Sequence, residues 1–129
     1  MHKACGVLLV AVLLSGCAAQ PSKPPLPVSQ IHPTPVCVGD DQCSEMWGRA
    51  LRALPAISRV RLMTATDSYL QTFPIDKVGY LNGTVFKQKV GEGKYSITAS
   101  FDCRGKSWCA DLSNRAVDLF NVQVAGFSK

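Results

Sequence analysis

The chain has 129 residues, 47% of them apolar and 18% charged; that length leaves room for one domain and excludes a multidomain enzyme, and the apolar content excludes a wholly disordered protein. Lys and Arg number 14 against 9 Asp and Glu, a formal charge of +5. This mildly basic balance is too weak to indicate a nucleic-acid binder.

Met1-His2-Lys3 is a short positive start, and Gly6 to Ser15 (GVLLVAVLLS) is an apolar run of ten residues. As a helix that run reaches only about 15 Å, roughly half a bilayer core, so it is too short to span and has the pattern of a cleaved export signal. Leu14-Ser15-Gly16-Cys17 follows at once, and this resembles the lipobox of bacterial lipoproteins with a type II signal peptide. The resemblance implies a signal over residues 1–16, cleavage before Cys17, and a diacylglyceryl thioether and usually an N-acyl chain on Cys17. Two or three such chains anchor a protein stably in a bilayer. Ala18, where an Asp resembles an inner-membrane retention signal, implies the periplasmic face of the outer membrane. Cys5 leaves with the signal, and so does Lys3, leaving 13 cations against 9 anions, or +4.

Residues 18–36 (AAQPSKPPLPVSQIHPTPV) hold six of the eight prolines. Proline lacks the backbone N–H and has a fixed φ, so an extended polyproline II or disordered tether is expected, up to about 60 Å long at full extension, with His32 solvated between prolines. The globular domain is expected over residues 37–129. It carries Cys37, Cys43, Cys103 and Cys109, two pairs of identical C-x5-C spacing. An even number of cysteines in a small exported domain reads as a disulfide framework. Loop entropy favours a crossed pairing, since a seven-residue loop gains about 2.4 kcal/mol and a loop of about 67 residues over 4. The repeated local spacing favours Cys37–Cys43 and Cys103–Cys109, which is the pairing expected here. Zinc thiolates are usually spaced by two to four residues, so no metal and no other cofactor is expected.

In chain order, Met46, Trp47, Ala50, Leu51 and Leu54 share one helical face. The helix is expected to open with an Asp N-cap at Asp40-Asp41, to carry Glu45 in its first turn and Arg49 and Arg52 on its outer face, and to stop at Pro55. Val60 to Thr66 and Tyr69 to Phe73 read as strands, Asn82-Gly83 as a turn, and Thr84 to Val90 and Tyr95 to Cys103 as a hairpin. A two-residue Glu92-Gly93 loop would set Val90 against Tyr95 and Phe86 against Ala99, keeping Lys87 and Lys89 off the apolar face. Arg104-Gly105-Lys106 would form the tip of the second cysteine loop. Ala116, Val117, Phe120 and Val124 fit a helix opening near Ser113, although Val122-Gln123-Val124 also reads as strand. The expected class is α+β: a small antiparallel sheet with one or two covering helices and two disulfides.

The residues available for chemistry are few. With His2 cleaved and His32 in the tether, the expected domain holds no histidine, which argues against Ser-His, Cys-His and histidine-metal catalysis. Glu45, Asp67, Asp76, Glu92, Asp102, Asp111 and Asp118 fall mostly at caps, turns and strand exits. No catalytic residue is expected. Lys87, Lys89, Lys94, Arg104 and Lys106 read as solvated strand edges. The mature chain is similar to the many short proteobacterial lipoproteins with a C-x5-C before a Trp-bearing helix, here Cys37 to Trp47, and a second cysteine pair before Phe120-Asn121. That resemblance carries no activity with it. The expected function is a membrane-anchored, non-enzymatic binding or structural module in the periplasm. Its partners would be the bilayer through acylated Cys17 and another envelope protein or the cell wall, with no nucleic acid. The alternative is an inhibitor of a cell-wall hydrolase, for which a basic chain is poorly matched to a cationic lysozyme.

Overall fold

The structure is a computed structural model that describes residues 32–103 and 107–126. The expected signal, Cys17, most of the expected tether and Arg104-Gly105-Lys106 lie outside the described residues. The chain runs β1 (Val36–Val38), α1 (Asp40–Ser58), β2 (Leu62–Ala65), β3 (Tyr69–Thr72), β4 (Asn82–Gly91), β5 (Lys94–Asp102) and α2 (Ser107–Ala125). All pairings are antiparallel, in the order β1-β5-β4-β3-β2. The class is therefore α+β, with two local disulfides, Cys37–Cys43 and Cys103–Cys109, at Cα separations of 5.0 and 5.7 Å.

Strands β2 to β5 form a meander, and β1 pairs with β5 at the far edge. Helix α1 therefore starts at one edge of the sheet and must deliver the chain to the other. Its 19 residues give about 28 Å, enough to cross five strands spaced about 4.8 Å apart. The core lies beneath it. Met46, Trp47, Ala50 and Leu54 of α1 meet Leu70, Val85, Ile97 and Phe101 of the sheet and Ala116, Phe120 and Val124 of α2. Phe101 and Phe120 meet edge-on at 6.3 Å between centroids.

Four local expectations are corrected. The N-cap of α1 is Gly39, at φ 82°, a value that suits glycine, while Asp40 and Asp41 sit in the first turn where carboxylates favour the helix dipole. Pro55 lies inside α1 rather than ending it. One missing N–H is tolerated because Leu54 and Ser58 are fully buried there, and the end is closed by Arg59, in the left-handed region, donating to Pro55 O at 2.9 Å. Asn82-Gly83 belongs to β4, not to a turn. The Asn82 side chain bonds Ile75 N and O at 2.8 and 3.3 Å, and Gly83 leaves room for Leu54, whose Cδ1 would lie 2.5 Å from an added Cβ. Helix α2 begins at Ser107 and includes Val122 to Val124.

The hairpin keeps its Glu92-Gly93 turn, but the ladder slips between Lys89 and Gly91. Val85 now faces Ala99, Phe86 faces Thr98, and Lys87 and Lys89 face Ile97 and Tyr95. One inserted residue reverses the facing of every β4 side chain before it. Lys87 is accommodated because its ammonium rests over the rings of Trp47 and Tyr95, at 5.0 and 6.0 Å from the centroids, a cation–π arrangement that also spares the stem from water. Lys89 pairs with Glu92 at 3.6 Å.

Arg49 is turned toward α2. Its Nε donates to Val124 O at 2.8 Å and its Nη2 to Ala125 O at 3.4 Å, while Nη1 meets Glu45 at 2.6 Å. It thus places a cation on the carbonyl end of α2, where the dipole is negative. Arg49→Met is expected to lower stability by about 1.5–2 kcal/mol, or roughly 6–12 °C in Tm for a domain of this size; Glu45→Gln, which loses only an exposed ion pair, should shift Tm far less. Equal losses in calorimetry would show that the α2 contact contributes nothing.

Candidate functional site

The two helices cover one face of the sheet and leave the other bare. On that face Val36 and Val38 lie beside Ser96 and Lys94 of β5, whose row continues through Thr98 and Ser100; next come Thr84, Phe86 and Gln88 of β4, then Tyr69, Gln71 and Phe73. Cross-strand partners fix the rows: Thr98, Phe86 and Tyr69 form one, and Ser100, Thr84 and Gln71 the next. Tyr69 and Phe86 pack at 4.9 Å between centroids, tilted by 45°, and Arg61 lies 5.9 Å over Phe73. Val36, Val38, Phe73 and Phe86 are all exposed. An antiparallel sheet with a solvated face ordinarily shows polar residues there. Here hydroxyls and amides alternate with apolar side chains, a mixed surface of the kind that marks interaction sites.

A second feature stands at His32, just before β1. His32 was expected to be solvated; instead its backbone N and its Nδ1 both meet Asp118 Oδ1, at 2.7 and 2.9 Å, and its carbonyl accepts from Asn121 Nδ2 at 3.0 Å. Pro35 is buried, and its carbonyl accepts from Ile97 N at 2.9 Å. The last residues of the expected tether are thus seated on α2. A histidine therefore does touch the domain, contrary to expectation: His32 and Asp118 form a His–carboxylate pair. Such a pair orients an imidazole; among the described residues His32 has no Ser or Cys partner. Sequence reading missed Asn121, although it falls on the apolar stripe of α2 with Val117, Phe120 and Val124, where a polar residue signals a buried hydrogen bond.

The expected site residues are placed as follows. Cys37–Cys43 ties β1 to the first turns of α1, and Cys103–Cys109 joins the residue after β5 to α2. Cys17 lies outside the described residues. Glu45 and Asp111 pair with the arginines four residues on, and Glu92 with Lys89; Asp118 holds His32. Among the described residues no three of His, Cys, Asp and Glu cluster to hold a metal ion. No helix among the described residues is long and apolar enough to cross a membrane. Comparison with protein-family models, with curated proteins and with solved structures finds no match to this chain.

Both bridges closed predicts that Cys37, Cys43, Cys103 and Cys109 give no titratable thiol when the chain is denatured without reductant. Opening Cys37–Cys43 by a double Ser substitution is expected to cost about 2 kcal/mol by loop entropy. A chelator should leave the melt unchanged, whereas free thiols together with a chelator-sensitive melt would restore zinc.

Proposed function

We propose that this chain is a lipid-anchored envelope lipoprotein whose domain is a non-enzymatic binding module facing the periplasm. The observation that carries the binding reading is the bare sheet face, with Tyr69 and Phe86 paired at its centre among uncharged Thr, Ser and Gln side chains. The lipobox-like Leu14-Ser15-Gly16-Cys17 supports the anchor, and Ala18 supports the outer membrane. The carboxylates support a module rather than a hydrolase, since Glu45, Glu92 and Asp111 are each engaged with a neighbouring cation. The partner is another envelope protein or the cell wall, whose uncharged groups can meet the hydroxyl and amide rows while the aromatic pair supplies apolar burial. Inhibition of a wall hydrolase is one form such binding can take.

Two measurements test this. Radiolabelled palmitate should enter the wild-type chain and be absent from a Cys17→Ser variant; label that persists in the variant excludes the lipobox. The mature chain should retain an envelope protein or pellet with isolated cell wall, and a Tyr69→Ser/Phe86→Ser variant should bind about thirtyfold more weakly, corresponding to about 2 kcal/mol for a central aromatic anchor. A partner held equally by wild type and variant would remove the open face from the function. A captured muramidase that loses activity on the chain would select the inhibitor form.

A further inference from the structure

Among the described residues, strand β1 is paired on one side only. Pro35 O accepts from Ile97 N, and Gly39 N donates to Gly93 O, both at 2.9 Å. Residues 35, 37 and 39 therefore turn their backbone groups toward β5, and by the antiparallel alternation Val36 and Val38 turn theirs to the free edge. Pro35 occupies an inward position, so its missing N–H costs a ladder bond and leaves the outer edge unblocked. Val38 N already donates outward, to Gln42 Oε1 at 2.7 Å, an amide oxygen standing where a further strand would bring a carbonyl.

Beside this edge lies a cavity of about 460 Å³, lined by Thr34 to Val36, Gln42, Met46, Val122 and Asn121 among others, a volume within the range of ligand pockets. Asn121 is 1% exposed. Its Nδ2 is used by His32 O, but its Oδ1 has no hydrogen-bond partner among the described residues. A buried acceptor without a donor costs about 1–3 kcal/mol. The lining holds no Asp, Glu, Lys or Arg, and His32 at the rim is already met by Asp118. The chemistry that fits is uncharged, rich in N–H donors and partly apolar.

We propose that the free edge of β1 and this cavity form a docking site for an extended, uncharged peptide segment of a partner protein. The segment adds as a strand against the N–H and C=O of Val36, lays an apolar side chain over Met46 and Val122, and supplies a donor to Asn121. This is β-strand addition, in which backbone bonds bring affinity and side-chain pockets bring selectivity. The site borders the bare sheet face at Val36, whose side chain stands on that face, but it uses the Val36 backbone and not the Tyr69–Phe86 pair.

The test uses the ¹⁵N-labelled mature chain in detergent micelles. The probe is a blocked octapeptide of alternating Val and Thr; the controls are the same peptide N-methylated at alternate residues and the neutral glycan chitotetraose. The Val–Thr peptide should slow amide exchange of Val36 at least tenfold and move the side-chain amide resonances of Asn121, and neither control should do so. Val36→Pro removes the edge donor without touching the β5 ladder, and should weaken binding at least tenfold with an unchanged melt, while Val36→Thr retains binding. Phe86→Ser should also retain it. If Val36→Pro fails to fold, the N-methylated peptide on the wild type decides alone. The proposal is overturned if the peptide leaves Val36 unprotected, if the N-methylated peptide binds equally, if chitotetraose moves the same resonances, or if Phe86→Ser abolishes binding. Protection of Val36 in the free chain, or a concentration-dependent dimer, would assign the edge to the chain's own residues or to a second copy and overturn it as well.

Discussion

The pairing of β1 with β5 is the constraint from which the rest of the architecture follows. Because β2 lies at the opposite edge of the sheet, the segment between β1 and β2 has to cross all five strands, and a helix of α1's length does so in one span. That crossing places its apolar stripe over a single face. Cys37–Cys43 fixes the crossing at its origin, since it joins the edge strand to the first turns of α1. Helix α2, tied to the end of β5 by Cys103–Cys109, fills what α1 leaves of the same face, and Arg49 links the two helices. Both helices are spent on one side. The other face is bare for topological reasons, and its composition is then free to serve recognition.

The parts legible in the sequence are those where a local period and the tertiary environment agree. The alternation of Tyr95, Ile97, Ala99 and Phe101 marked the core face of β5 because that strand runs without a bulge. The identical spacing of the cysteines pointed to local bridges although loop entropy argued for crossed ones, and here the short span between β1 and α1 decides. The β4 register was not legible. Its Val90 bulge depends on a resting place for Lys87 between Trp47 and Tyr95, and those rings are brought together only by the fold. Pro55 and Gly83 misled for one shared reason. Each is a breaker by local preference, and each is overridden where Leu54 packs, since Leu54 is completely buried and occupies the space that Gly83 leaves.

His32 to Pro35, among the last residues of the expected tether, show the same limit from another side. A proline-rich stretch reads as solvated because nothing in its own pattern calls for burial. What seats it is supplied from far along the chain, by Asp118 and Asn121 of α2, 86 and 89 residues from His32. Two hydrogen bonds from His32 and one to its carbonyl are worth about 1 kcal/mol each at most sites, modest individually but sufficient to order a short segment whose prolines have already lost most of their freedom. The polar residue on an apolar helical stripe was the available signal, and it indicates a partner without naming it.

This seating also determines how a load on the N-terminal side would enter the domain. A pull applied at His32 loads its bonds to α2 first and then β1. The hydrogen bonds between β1 and β5 lie perpendicular to the strands, so a pull along the strand loads them in parallel rather than one after another. At Cys37, the middle residue of β1, the force also enters the Cys37–Cys43 bridge, which passes it covalently into α1 and so into the core instead of into a three-residue edge strand alone. A strand of that length has few backbone bonds with which to resist by itself. The disulfide is therefore placed where an otherwise weak edge must carry both the chain's entry and, on the reading above, the unpaired backbone of Val36 that a partner would use.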